Sequence, residues 1–162
     1  MPRALVKFDK SFIRLLKRNS GALARAALFI VYFWFGALKL FGASPANPLI
    51  AELLGRTIPW ISFDAFIVGF AMYEMLIGLF FLAPGLERVA IALLVPHLLM
   101  TALPLLVLPS LTWQGFFMPT LEGQYIVKNL LIVALAFGIA AQMIPMRLAR
   151  PAPKAAQKKP DS

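Results

Sequence analysis

In a chain of 162 residues without cysteine, the side chains best suited to chemistry are few and lie in apolar surroundings: Lys39, Glu74, His97 and Lys128. A carboxylate and an imidazole can exchange protons, and lysines can attract an anion. In hydrocarbon each such group costs about 2.5 to 3.5 kcal/mol on insertion scales, so each needs a partner or a water-filled cavity. A single histidine cannot supply both ligands of a bis-histidine haem, and a metal site is not expected. The lack of cysteine excludes disulfides, Cys-ligated zinc, iron–sulfur clusters and dithiol catalysis. With no nucleophile–base motif in the chain, no catalytic residue is assigned, and the question of enzymatic activity stays open.

The segments that must position these groups are strongly apolar. The composition is 60% hydrophobic and 14% charged, with a mean hydropathy of +0.80, which excludes an ordinary water-soluble domain. Four stretches approach the ~20 residues that a helix needs to cross ~30 Å of hydrocarbon: residues 22–41, 63–83, 89–109 and 125–144. The fold class expected is all-α, an integral membrane four-helix bundle with an N-terminal amphipathic helix. The uncharged runs Ala26–Leu38 and Ala65–Tyr73 are too short to span alone, which places Lys39 and Glu74 within the spans. Pro84-Gly85 makes the second and third spans antiparallel neighbours. Glu74 precedes Gly85 by 11 residues and His97 follows it by 12, which sets them at similar height. Lys39 and Lys128 belong nearer the opposite end, and a cluster of Glu74 with either lysine requires the lysine to reach inward. Between the first two spans, Ala51 to Arg56 has room for a short helix.

The net charge of +9 resides mostly at the two ends. Seven basic residues precede Ala26 and five follow Pro145; with Arg88 they make 13 on one side, against Arg56 alone on the other. That distribution argues against nucleic acid and for a multi-pass protein with cytoplasmic N and C termini. Trp60 and Trp113 fall where an outer aromatic belt would sit. Residues 1–21 read as a basic amphipathic interfacial arm. Leu5, Phe8, Phe12 and Leu15 share one face, Lys7, Lys10, Arg14 and Lys17 another, and the arm is expected on the inner leaflet of the bilayer. The membrane domain is expected over residues 22–144, followed by a basic, disordered tail over 145–162. The length and charge of the segment before the first span, with Lys39 and Pro45 near its end, argue against a cleavable signal peptide.

Small residues accompany the polar ones at helical spacing: Tyr32, Gly36 and Lys39 in the first span, and Ala71, Glu74 and Gly78 in the second. Gly36, Ala71 and Gly78 are the candidate helix-packing positions, because small side chains let helices approach closely.

These motifs carry a resemblance. FGALKLFG at Phe35–Gly42 and YEMLIGLFFLAPG at Tyr73–Gly85 resemble the DoxX-like superfamily of small four-helix membrane proteins, in the Gly36-x-x-Lys39 pattern and in Glu74 with Gly78 four residues on. PTLEGQYIVKNL at Pro119–Leu130 is similar to the entry of the last helix in relatives of the reactive-chlorine-resistance inner-membrane protein. The resemblance covers roughly residues 22–144. It implies a bacterial inner-membrane location and a membrane subunit or scaffold that partners a redox or oxidative-stress protein. The buried polar cluster would then meet a quinone or another small ligand; the cofactor itself stays unknown. The candidate cluster residues are Lys39, Glu74, His97, Glu122, Lys128 and Asn129. Competing readings are a small-solute or proton carrier, in which Glu74 and His97 exchange protons, and a purely structural assembly protein. The oligomeric state is open, a homo-oligomer included.

Overall fold

The computed structural model describes residues 2–145. The expected tail lies outside them but for Pro145, together with its basic residues Arg147, Arg150, Lys154, Lys158 and Lys159. Helix α1 runs unbroken over Arg3–Leu40, 38 residues, or about 57 Å at the usual rise. Residues 1–21 and the first apolar stretch are therefore not separate elements. No proline falls between Pro2 and Pro45, and the Ser20-Gly21 pair, which weakens a helix, does not interrupt this one. The helix ends where Gly42 adopts φ +67. The N–H of Gly42 then donates to Lys39 O at 3.1 Å and that of Ala43 to Leu38 O at 2.9 Å, a Schellman closure that satisfies carbonyls at the end of α1.

Helix α2 (Asn47–Thr57) opens on Pro48 and carries an Arg56–Glu52 pair at 3.0 Å; it is longer than the short helix expected at Ala51 to Arg56. Helix α3 (Phe63–Leu82) starts at Ser62, whose side chain accepts from Ala65 N at 3.4 Å. The turn beyond it holds Gly85 at φ +87, a conformation that side chains with a Cβ rarely adopt. Helix α4 (Glu87–Ala102) contains Pro96 and gives way at Leu103 to two short turns, α5 (Pro104–Val107) and α6 (Pro109–Thr112). Each begins at a proline, which lacks the N–H needed to continue the preceding helix. The interruption falls at Leu103, which keeps helical dihedrals, and the span expected over 89–109 is met by Glu87–Val107.

A two-stranded antiparallel hairpin follows, β1 (Trp113–Gly115) and β2 (Met118–Pro119), with Phe117 at φ +53. Helix α7 (Leu121–Val127) is capped by Thr120, which accepts from Gly123 N at 3.2 Å, and it passes at Lys128 into α8 (Asn129–Ala140). The last apolar helix therefore spans Leu121–Ala140, four residues earlier at each end than expected, because Thr120 supplies the cap.

Among the described residues, four helices are long and apolar enough to cross a membrane: Arg3–Leu40, Phe63–Leu82, Glu87–Val107 and Leu121–Ala140. The core comprises Leu28 and Tyr32 of α1, Ile77 and Phe81 of α3, Ala90 and Leu94 of α4, and Ala136 and Ile139 of α8. Helices α1 and α3 share the most extensive contact. A Cβ on Gly36 would lie 2.9 Å from Ala71 O, and one on Gly78 would lie 2.9 Å from Phe33 N. The two glycines thus let the backbones approach reciprocally, as the small-residue stripes predict.

Candidate functional site

At the α1–α3 seam the stripe spacing is realised as contact. Tyr32, Gly36 and Lys39 are all buried on one face of α1, opposite buried Ala71, Glu74 and Gly78 of α3. Because Gly36 lets the helices close, Lys39 Nζ reaches Glu74 Oε2 at 2.5 Å. The side chains of both are at least nine-tenths buried. The other carboxylate oxygen, Oε1, meets His97 Nε2 at 2.9 Å from α4. On its far side, His97 Nδ1 lies 3.3 Å from Tyr32 Oη.

One assignment of protons satisfies every bond in this group. The Lys39 ammonium donates to Glu74, and a neutral imidazole donates from Nε2 to the same carboxylate while its Nδ1 accepts from the Tyr32 hydroxyl. One positive and one negative charge are then buried together, with a histidine and a tyrosine completing the chain. Grouping the charges offsets part of the desolvation cost that each would bear alone. Aromatic rings enclose the group. Phe70 stacks on His97 with centroids 5.3 Å apart and planes 13° apart, and Tyr32 meets the imidazole edge-on at 5.1 Å. Lys39 Nζ also lies 5.7 Å from the Phe70 centroid, within reach of a cation–π attraction. Phe70 is half-buried.

Pro96 has no N–H to donate to Ala92 O, yet His97 is turned away from its own backbone, toward Glu74. Tyr73 of α3 donates to Leu93 O of α4 at 2.6 Å.

The other candidate residues stand apart from this network. Glu122 is exposed in the first turn of α7. Lys128 is also exposed, with Nζ 5.0 Å from the Tyr125 ring centroid. Asn129 is half-buried and donates to Thr101 Oγ1 at 3.4 Å, which ties α8 to α4. Lys7, Lys10, Arg14 and Lys17 are exposed along the first half of α1.

Three participants were not singled out as site residues. Tyr32 lay on the α1 stripe, four residues before Gly36, and that spacing was a usable signal; nothing in the sequence distinguishes Phe70 or Tyr73 from the other aromatics. At the opposite end of α1, Arg25 Nη1 pairs with Glu87 Oε1 at 2.7 Å, and Arg88 donates to Ile144 O. Comparison with known proteins finds no matching family model, no matching curated protein and no matching solved structure.

Proposed function

We propose that this chain is an integral membrane four-helix bundle of the DoxX-like kind, acting in a bacterial inner membrane as a subunit or scaffold for a redox or oxidative-stress system. The observation that carries the reading is that the residues of the resemblance meet one another. Lys39 bonds Glu74, Gly36 lies against Ala71 and Glu74, and Gly78 lies against Phe29 and Phe33. The exposed apolar surface supports insertion in a bilayer: Trp34, Met72, Leu99, Leu130, Leu131 and Phe137 are each more than 60% exposed, which suits lipid and not water. Within the bundle the buried ion pair and its imidazole are satisfied by each other. That suits a part that fixes three helices in register better than one that must vacate its charges to bind a solute.

A second reading, proton exchange, has one observation in its favour: Lys39, Glu74, His97 and Tyr32 form an unbroken chain of proton-bearing groups. One set of experiments separates the two. Cells lacking the chain are challenged with hypochlorite and complemented with the native protein or with the Lys39→Met/Glu74→Gln variant, and the purified protein is tested for proton flux in vesicles with a trapped pH dye. The subunit reading expects loss of tolerance, restoration by the native chain only, and no flux. Unchanged tolerance together with proton flux that stops in the variant would replace it with the carrier reading.

A further inference from the structure

Oxidation of a phenol separates an electron from a proton, and the two leave by different rules. An electron crosses packed protein without contact, whereas a proton needs a base within hydrogen-bond reach. In an apolar core, a phenol without such a base would be left as a buried cation, an unpaired charge of the most costly kind. What each phenol bonds to therefore decides which tyrosine can lose an electron. The chain has three tyrosines, and no cysteine to be oxidised in their place. Tyr125 is 62% exposed and has the Lys128 ammonium 5.0 Å from its ring centroid, a positive charge that opposes removal of an electron. Tyr73 donates to Leu93 O at 2.6 Å, and a backbone carbonyl accepts a hydrogen bond without taking the proton.

Tyr32 differs from both. It is 3% exposed, and its hydroxyl lies 3.3 Å from His97 Nδ1. With the imidazole proton on Nε2, toward Glu74, Nδ1 is an unprotonated base, and among the described residues Tyr32 is the one phenol that faces one. The rest of the network is placed to receive the charge. A proton gained at Nδ1 makes His97 an imidazolium whose Nε2 stays 2.9 Å from Glu74 Oε1, and the carboxylate then stands between that charge and the Lys39 ammonium. The ionisable groups gathered around His97 are Tyr32 and, through Glu74, Lys39 on α1, with Glu74 itself and Tyr73 on α3. From α8 the buried core residues are Ala136 and Ile139.

We propose that Tyr32 is a redox-active residue, oxidised reversibly by one electron while His97 holds its proton. A one-electron oxidant outside the bundle, of the class of a lipid peroxyl radical, takes the electron and is protonated from water to a hydroperoxide. At Tyr32 the O–H bond breaks, an N–H bond forms at His97 Nδ1, and a neutral tyrosyl radical remains. A one-electron reductant of the class of ascorbate returns the electron, and His97 returns the proton. This property does not depend on whether the chain serves as a subunit, a scaffold or a carrier.

The test uses the purified full chain in detergent, oxidised by flash-generated tris(bipyridine)ruthenium(III). Optical absorption and electron paramagnetic resonance follow the tyrosyl radical and separate it from tryptophan radicals. The native chain should give a long-lived tyrosyl signal. Tyr32→Phe should lower that signal several-fold, and Tyr125→Phe should leave it unchanged. His97→Gln keeps a hydrogen-bond acceptor but supplies no base, and it should lower the yield several-fold as well. Voltammetry of the native chain needs no variant: the potential of Tyr32 should not change with pH across the neutral range, because the proton stays in the protein. A phenol that loses its proton to water has instead a potential that falls as pH rises. No tyrosyl signal in the native chain, a signal that survives Tyr32→Phe, a native yield in His97→Gln or a potential that falls with pH would each overturn the assignment and leave the Tyr32–His97 contact as packing alone.

Discussion

Lys39 Nζ and Glu74 Oε2 are 2.5 Å apart between α1 and α3, one turn from the close contact of Gly36 with Ala71, with both side chains almost wholly buried. Removing one member strands the other as an uncompensated buried charge, which costs about 3 to 5 kcal/mol. Lys39→Met and Glu74→Gln should therefore each lower stability strongly. The double variant should cost less than the sum of the singles, because it removes both halves of the pair. Denaturant unfolding of the purified protein in detergent measures the cycle, and strict additivity would mean that the two residues do not interact.

Gly36 and Gly69 offer a matched contrast. Both lie inside unbroken helices, but a Cβ on Gly36 would meet Met75 Cγ at 2.8 Å and Ala71 O at 2.9 Å, whereas nothing lies within 4 Å of one on Gly69. Backbone cannot yield as a flexible side chain can, so Gly36→Ala should force the helices apart at a cost of about 1 to 3 kcal/mol. Gly69→Ala should be neutral or stabilise by up to about 1 kcal/mol through backbone entropy. Equal effects at the two sites would show that close approach at Gly36 is unimportant to stability.

Histidine 97 separates two kinds of loss. Tyr32→Phe removes a hydroxyl bonded only to Nδ1, at a cost near the ~1 kcal/mol of an ordinary hydrogen bond. His97→Leu takes a donor from a buried carboxylate and should cost more, because hydrogen bonds to charged groups run to about 1.5 to 3 kcal/mol. Once His97 is Leu, adding Tyr32→Phe should have little further effect. Thermal unfolding of the three variants decides it, and a larger cost for Tyr32→Phe than for His97→Leu would contradict the proton roles assigned to the imidazole.

What was legible in the sequence depended on rigid local rules. Turn residues at Pro84-Gly85 set Glu74 and His97 at one height, and the two side chains are 2.9 Å apart. The three-and-four spacing put Tyr32, Gly36 and Lys39 on a single face. Lys128 is as plausible a partner from sequence because, like Lys39, it lies near the outer end of its span, and nothing in the sequence fixes which face of the last helix turns inward. At the α7–α8 junction Lys128 is exposed, with its ammonium over the Tyr125 ring. The hairpin at residues 113–119 was illegible for another reason: it has no alternating pattern, and its positive φ falls on Phe117, a bulky residue that seldom adopts one. The arm was divided from the first span where the charge pattern changed, but a change in what covers a helix is not a signal to end it.

Orientation can be tested at positions that the structure leaves accessible. Ser44 is a poor reporter, since it is buried and its Oγ accepts from Ala46 N at 3.3 Å. Gln114 in β1 and Thr57 at the end of α2 are exposed, as is Ser11 in the first half of α1. With 13 of the 16 basic residues assigned to one side and Arg56 alone to the other, the insertion bias toward a basic cytoplasmic face is strong. In intact cells, Gln114→Cys and Thr57→Cys should react with a membrane-impermeant maleimide, whereas Ser11→Cys should react only after permeabilisation. Labelling of Ser11→Cys alone in intact cells would invert the topology. Equal labelling of all three before permeabilisation would mean that the four apolar helices do not cross the membrane, and the exposed stripes at Trp34, Leu99 and Phe137 would then have to be covered by protein.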